Sequence, residues 1–195
     1  MIASFRQRVL DELARTVDRD DSQWQRWRGL VERALDAAAQ ERAAPSAAEG
    51  PVTDPVLQGG SSVPQTVIAY RDPFLVPPGC HLQHSLFAAH RVEIGRNSRV
   101  DGTLVAESAL IAGGPESTFE HLLTGHLQFE SAPAHVSGNI WCDLPTWRGT
   151  SHHLPPRLRV RGVVAVQSAH DAPVVVQSNS HLGALIARSA VQTDA

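Results

Sequence analysis

A repeat of about eighteen residues constrains the fold of this chain more than any other feature. Apolar residues recur at that spacing in columns. One column contains Leu86, Leu104, Leu122 and Ile140, and a second contains Leu82, Val100, Thr118 and Val136. A fixed period near twenty residues is typical of a solenoid, in which one coil cannot bury its own apolar face and stacked coils share a continuous core.

The segments inside each repeat have the length and alternation of strands. Short apolar triplets occur at residues 86–88, 92–94, 104–106, 110–112 and 140–142, each with two residues on one face and one on the other. Turn-forming residues separate them, as at Asp101-Gly102. The sequence therefore predicts a mainly β fold, a single-stranded β-helix with about eighteen residues per coil. Leu127 and Phe129 fall one place out of step with Leu110 and Ala112, so we expect a bulge in that coil.

The chain divides into four segments by composition. Residues 1–44 have the pattern of an amphipathic α-helical extension, with candidate contact residues Trp24, Trp27 and Val31 on its apolar stripe. Residues 45–64 are rich in Pro, Gly and Ser and predict a flexible linker. We assign residues 65–188 to the β-helix and 189–195 to a tail. The segment after Cys142 delays the next repeat by about six residues, which predicts a projecting loop.

Composition and charge favour a cytoplasmic protein without a nucleic-acid partner. The net charge is −3, which argues against nucleic acid. The two cysteines and the absence of a leader pattern or a long apolar run suggest a reducing compartment. Association with a membrane surface through Trp24 and Trp27 is the alternative to a protein contact. It is disfavoured because Asp and Glu balance Arg on the polar side of that segment.

A second apolar column is expected on the outside of the coils. It lies at the middle of successive triplets and contains Phe87, Val105, Leu123 and Trp141. Since the neighbours of each residue point inward, alternation predicts that these four point outward and are exposed. The column is a candidate assembly or docking surface, covered either by the N-terminal helices or by another molecule.

No pattern of catalytic, cofactor-binding or metal-binding residues stands out. His81 and His84, His121 and His126, and His152 and His153 have the spacing of ligand pairs, but no third ligand accompanies any of them at fixed spacing. His81 and His135 are expected on one column, three coils and about 14 Å apart, which is too far to share a metal ion. We therefore expect no cofactor and no enzymatic activity.

The repeat units resemble the bactofilin family of bacterial polymer-forming cytoskeletal proteins. The resemblance rests on the turn at 76–79 and on V-x-G-x-L-x-A units at 100–106 and 136–142, and it covers roughly residues 74–187. It implies a β-helix that assembles end to end into filaments without nucleotide. It also implies a scaffold whose partners are other copies of the chain and an envelope or morphogenesis protein. The N-terminal helices would then dock on the coil or on a partner.

A trimeric enzyme with a left-handed β-helix is the alternative. Ile94, Val100 and Ala106 begin a series spaced by six residues, as in hexapeptide-repeat acyltransferases and γ-type carbonic anhydrases. That series stops after Thr118. The large side chains of Leu104 and Leu110 also lie where such enzymes usually carry small residues.

Overall fold

The computed structural model describes residues 51–167, 172–187 and 189–193, and every regular element in them is a β-strand. The predicted helical extension at 1–44, with Trp24, Trp27 and Val31, lies outside the described residues. The strands are β1 Val52–Thr53, β2 Ser62–Val63, β3 Val67–Ala69, β4 Phe74–Val76, β5 His81–Leu82, β6 Leu86–Ala88, β7 Arg91–Ile94, β8 Arg99–Ile111, β9 Thr118–Phe129, β10 Ala134–Val136, β11 Ile140–Trp147, β12 Thr150–Ser151, β13 His153–Leu154, β14 Leu158–Val166, β15 Val174–Val176, β16 His181–Ala187 and β17 Val191–Thr193.

The strands stack in parallel as a β-solenoid, which confirms the predicted β-helix. Inward residues follow one another up the stack in ladder register. The longest such column is Val52, Val67, Leu86, Leu104, Leu122, Ile140, Val164 and Leu185. Its eight positions correspond to about eight coils. The step is eighteen residues from Leu86 to Ile140, as the sequence predicts.

Each coil contributes strand segments to three faces, which we call A, B and C. Face A contains Leu86–Ala88 and the segments stacked on it. Face B contains His81–Leu82 and its stack, and face C contains Phe74–Val76 and its stack. The long strands β8 and β9 run through all three faces of one coil. Their inward aliphatic and phenylalanine side chains form one hydrophobic core.

One inward position differs from the predicted columns by one residue. Val100 pairs with Phe119, and Phe119 is buried, whereas the predicted Thr118 pairs with the outward Arg99. The cause is a bulge, because the register shifts between Val100 and Thr103 on β8. The irregularity therefore lies one coil earlier than expected.

The apparent mismatch at Leu127 and Phe129 also has its origin in the preceding coil. These residues pair with Ala109 and Ile111, which are fully buried, and the step between them is a regular eighteen. The inward residues of that triplet are thus not Leu110 and Ala112, as alternation from 110 predicted. The step from β7 to β8 is seventeen residues, and it moves the inward positions back by one.

The solenoid extends beyond both predicted boundaries. β1 and β2 lie within the predicted linker, where they pair with β3 and β5, and Val63 is buried. β17 lies within the predicted tail and pairs with β15. Short strands rich in turn residues resemble linkers in composition, but stacking on a neighbouring coil satisfies their backbone groups.

The insertion after Cys142 is a strand hairpin rather than a loop. β11 continues to Trp147, turns through Arg148 and Gly149, and returns as β12 in antiparallel pairing. Both turn residues have positive φ, 46° and 78°, as a two-residue type I′ hairpin requires. The step across the insertion is twenty-four residues, from Ile140 to Val164, so the predicted delay of six is confirmed. Beyond it, β13, β15 and β17 form a separate three-stranded sheet.

Candidate functional site

The predicted outer column exists as a ladder on face A. Phe87 pairs with Val105, Val105 with Leu123 and Leu123 with Trp141. All four residues lie outside the hydrophobic core cluster. The structure therefore brings together the four residues that the sequence singled out, in one row on the outer side of the sheet.

The accessibility of this row differs from the prediction. Val105 is 2% exposed, Leu123 is 4% and Trp141 is 9%, while Phe87 is half-buried. Alternation alone assumes that water covers the outer side of the sheet, whereas three of these four side chains are almost fully buried. The row is a packed surface, so it is not the exposed stripe that the sequence predicted.

The C-terminal coil leaves the end of the core open. In the coil before it, Val160, Val164 and Val174 are almost fully buried. Their ladder partners Leu182 and Leu185 are only half-buried, although they pack against the core cluster, and Val191 is 48% exposed. The loss of burial marks the point where, among the described residues, no further coil stacks on β16 and β17.

Strand edges accompany this apolar end. β16 pairs with β14 alone and β17 pairs with β15 alone within the described part of the chain. A strand with one partner presents a row of unpaired N–H and C=O groups on its other side. Leu182, Leu185 and Val191 were not identified from the sequence. The terminal positions of the apolar columns are the signal that could have found them.

The N-terminal end of the solenoid also has exposed apolar side chains. Leu75 lies at the middle of β4, the first strand on face C, and is 56% exposed. Val56 is 79% exposed and Tyr70 is 42% exposed. The neighbours of Leu75, Phe74 and Val76, are buried, so alternation explains its outward direction.

Three histidines contact residues of neighbouring coils. His81 Nε2 lies 2.7 Å from Asp101 Oδ2, and His126 Nε2 lies 2.9 Å from Thr146 Oγ1. The backbone N–H of Asn139 donates to His121 Nδ1 at 3.0 Å. Within the described ranges, no group of three or more His, Cys, Asp or Glu residues is placed to hold a metal ion.

Two of these ionisable groups have shifted pKa values. Partial burial opposes ionisation of Asp101, but hydrogen bonds from Arg99 and His81 outweigh it and lower the pKa of this carboxyl below 3.8. Burial, with a smaller contribution from the charge of Arg91, lowers the pKa of His126. Of these causes, the hydrogen bond from His81 to Asp101 is a contact between two coils.

Both cysteines are buried and unpaired. Cys142 lies on the inward column of face A, as predicted, and burial followed by the charge of Asp143 raises the pKa of its thiol. The Cys80 thiol donates to the carbonyl of Gln58 at 3.1 Å. Neither thiol has the exposed, electropositive surroundings of a reactive cysteine.

No helix in the described ranges is sufficiently long and apolar to cross a membrane. In comparisons with known proteins, the chain matches no family model, no curated protein and no solved structure.

Proposed function

We propose that this protein is a non-enzymatic cytoplasmic scaffold that associates with itself through the ends of its β-solenoid. The observation that carries the proposal is the open C-terminal coil, where half-buried core residues and single-partnered strands occur together. A second copy stacked on this end would bury the apolar side chains and pair the free strand edges at the same time.

The geometry of the stack supports association end to end. The coils in the middle of the stack pair with the coil above and the coil below, and the last coil continues the same parallel ladder. A coil of a second molecule can therefore continue the ladder without a change in backbone conformation. The repeat units that resemble bactofilins imply the same mode of assembly.

Self-association through the ends would not use the sides of the solenoid. We extend the proposal to the outer row of face A, with Phe87 and Trp141, as the surface at which residues 1–44 or a partner protein docks. Aromatic side chains supply large contact areas, which makes such a row suited to a protein contact.

A charged substitution at the open C-terminal end tests the proposed assembly directly. Leu185→Glu places a carboxylate on the exposed end of the core column, where stacking would have to bury it. Ala184→Glu adds the same charge at the adjacent exposed position of β16 and serves as the matched control. We expect light scattering and negative-stain electron microscopy to show assemblies of wild type that Leu185→Glu abolishes and Ala184→Glu retains.

Circular dichroism would confirm that each variant keeps its β-structure. A wild-type protein that remains monomeric at all concentrations would refute the proposal, and so would equal assembly of the two variants. Uniform trimers would instead favour the hexapeptide-repeat enzyme.

For the outer row, Phe87→Asp and Trp141→Asp should alter the assembly, or the binding of residues 1–44, while the coil stays folded. Wild-type size and stability in both variants would remove the docking role.

A further inference from the structure

A basic cleft opens on face B near the C-terminal end of the solenoid. Its volume is about 540 Å³, within the range of small-molecule sites. Arg157, Arg159, His135 and His181 line it, and no aspartate or glutamate is among its described lining residues. This is an unusual concentration of basic side chains in a protein whose net charge is −3.

Ladder register places three of these side chains in a line. His135 pairs with Arg159 and Arg159 pairs with His181 on successive coils. They therefore lie about 4.8 Å apart, and the line spans about 10 Å from His135 to His181. Arg157 lies two residues before Arg159, with the fully buried Leu158 between them, so both arginines are on the outer side of the coil.

Basic side chains on the same ladder have a carboxylate partner towards the N-terminal end of the solenoid, but not in the cleft. There, His81 and Arg99 both contact the carboxylate of Asp101. The residue two positions beyond Arg159 is Arg161, whereas the residue two positions beyond Arg99 is Asp101. Among the described residues, neither Arg157 nor Arg159 forms an ion pair with a carboxylate. The cleft thus contains two permanent positive charges without a partner in that part of the chain.

A neutral polar group completes the lining. The Thr118 hydroxyl oxygen is buried and has no hydrogen-bond partner among the described residues. A buried hydroxyl without a partner carries a desolvation cost, which a ligand that accepts its proton would remove. Thr118 precedes His135 on the same ladder, so the hydroxyl lies next to the line of basic groups.

The backbone conformation of Arg157 is a further sign that this arginine has a role in the cleft. Its φ is +56°, in the left-handed region where an arginine is uncommon. The corresponding corner of the next coil carries Asn179, with φ +60°, and asparagine tolerates this conformation well. An arginine at such a corner incurs a conformational cost that asparagine or glycine would avoid, and it holds its guanidinium at the cleft.

We propose that this cleft binds a small anion that carries two or more phosphate groups. Guanidinium groups form paired hydrogen bonds with phosphate oxygens, and imidazole N–H groups and a hydroxyl supply further donors. A ligand with several phosphates can contact the line of three coils, whereas a single phosphate reaches only adjacent members. The proposal concerns a side face of the solenoid and does not depend on assembly through the ends.

Calorimetric titration of the full-length protein with inorganic triphosphate tests the site. We expect one triphosphate per chain, with inorganic phosphate binding more weakly at the same ionic strength. Arg159→Gln should weaken triphosphate binding about tenfold or more, since it removes a charge-assisted pair of hydrogen bonds. Arg99→Gln is the matched control, because Arg99 lies on the same ladder outside the cleft, and its binding should equal that of wild type.

Circular dichroism would verify the fold of each variant, and Arg157→Gln provides a second test in the same cleft. The proposal is overturned if wild type does not bind triphosphate, or if Arg99→Gln and Arg159→Gln lose affinity equally. Binding of a single-stranded oligonucleotide in the absence of triphosphate binding would also overturn it, and would indicate a nucleic-acid surface instead.

Discussion

Asp101 and His81 join two adjacent coils through a contact of 2.7 Å between Oδ2 and Nε2. Arg99 also donates to the second oxygen of the same carboxylate. These contacts lie at the edge of face B, where the ladder residues His81 and Arg99 point outward. One carboxylate therefore connects side chains of two coils, and its ionisation is linked to their stacking.

Replacement of this carboxylate should lower stability in a pH-dependent way. The pKa of Asp101 is lowered on folding, so its ionised form stabilises the folded chain above the unfolded value of 3.8, and that contribution is lost as the pH falls through the lower folded value. Because the group is partly exposed, we expect Asp101→Asn to cost up to about 1 kcal/mol at pH 7. The difference from wild type should shrink below pH 3.8.

Urea unfolding at pH 7 and at pH 3 measures this difference. Glu116→Gln is the control, because Glu116 is exposed and forms no ion pair with another described residue. A constant difference between wild type and Asp101→Asn across this pH range would contradict the link between ionisation and stacking.

A glycine at the corner between coils should be essential for a steric reason. A Cβ atom on Gly95 would lie 2.5 Å from the backbone nitrogen of Pro78 and 2.7 Å from the carbonyl carbon of Pro77. Because these are backbone atoms of the preceding coil, they cannot move aside as a side chain could. We expect Gly95→Ala to reduce the free energy of unfolding by about 2 kcal/mol, as overpacking typically does.

Gly59→Ala is the matched control for that substitution. Its Cβ would lie 3.5 Å from the nearest atom, the carbonyl oxygen of Pro78, which is an ordinary contact. Thermal or chemical unfolding should therefore leave this variant within about 0.5 kcal/mol of wild type. Similar losses of unfolding free energy in both variants would show that the effect of Gly95→Ala does not come from the close approach of the preceding coil.

The bulge on β8 makes a prediction about two adjacent residues. Phe119 is buried in the core and Thr118 points outward, the reverse of what the eighteen-residue columns indicate. Phe119→Ala should destabilise the protein by about 3–5 kcal/mol, as expected for a large buried side chain. Thr118→Val should not lower the stability, because the hydroxyl that it removes is buried without a described partner. Denaturant unfolding of both variants compares them, and a larger effect at Thr118 would favour the unshifted register.

The repeat predicted most of the architecture because its physical cause is local to each coil. Columns such as Leu86, Leu104 and Leu122 need only a constant coil length to stack, and the structure retains that length through the middle of the solenoid. The steps of seventeen and nineteen residues around β8 could not be predicted. A bulge exchanges an inward residue for its neighbour, and here the neighbours Leu110 and Ile111 are equally apolar.

The features proposed to be functional depend on information that a periodic pattern does not contain. The outer row was predictable in position, but its burial depends on what packs against it. The basic cleft joins residues from β9, β10, β14, the corner before β14 and β16, and the hairpin at Arg148 and Gly149 separates them in the sequence. Arg148 takes a positive φ without being the Asn, Asp or Gly that usually marks the first position of such a turn, so the sequence carries only Gly149 as a signal for it.

The buried thiols offer a test of core packing. Burial raises the pKa of Cys142, so its reactive thiolate form is suppressed, and both cysteines are fully inaccessible. We expect neither thiol to react with a disulfide reagent in the native protein at pH 8, and two thiols per chain to react after unfolding in guanidinium chloride. Cys142→Ser isolates Cys80 in the same titration. Rapid labelling of the native protein would show that the coils open locally at face A or at the corner near Gln58.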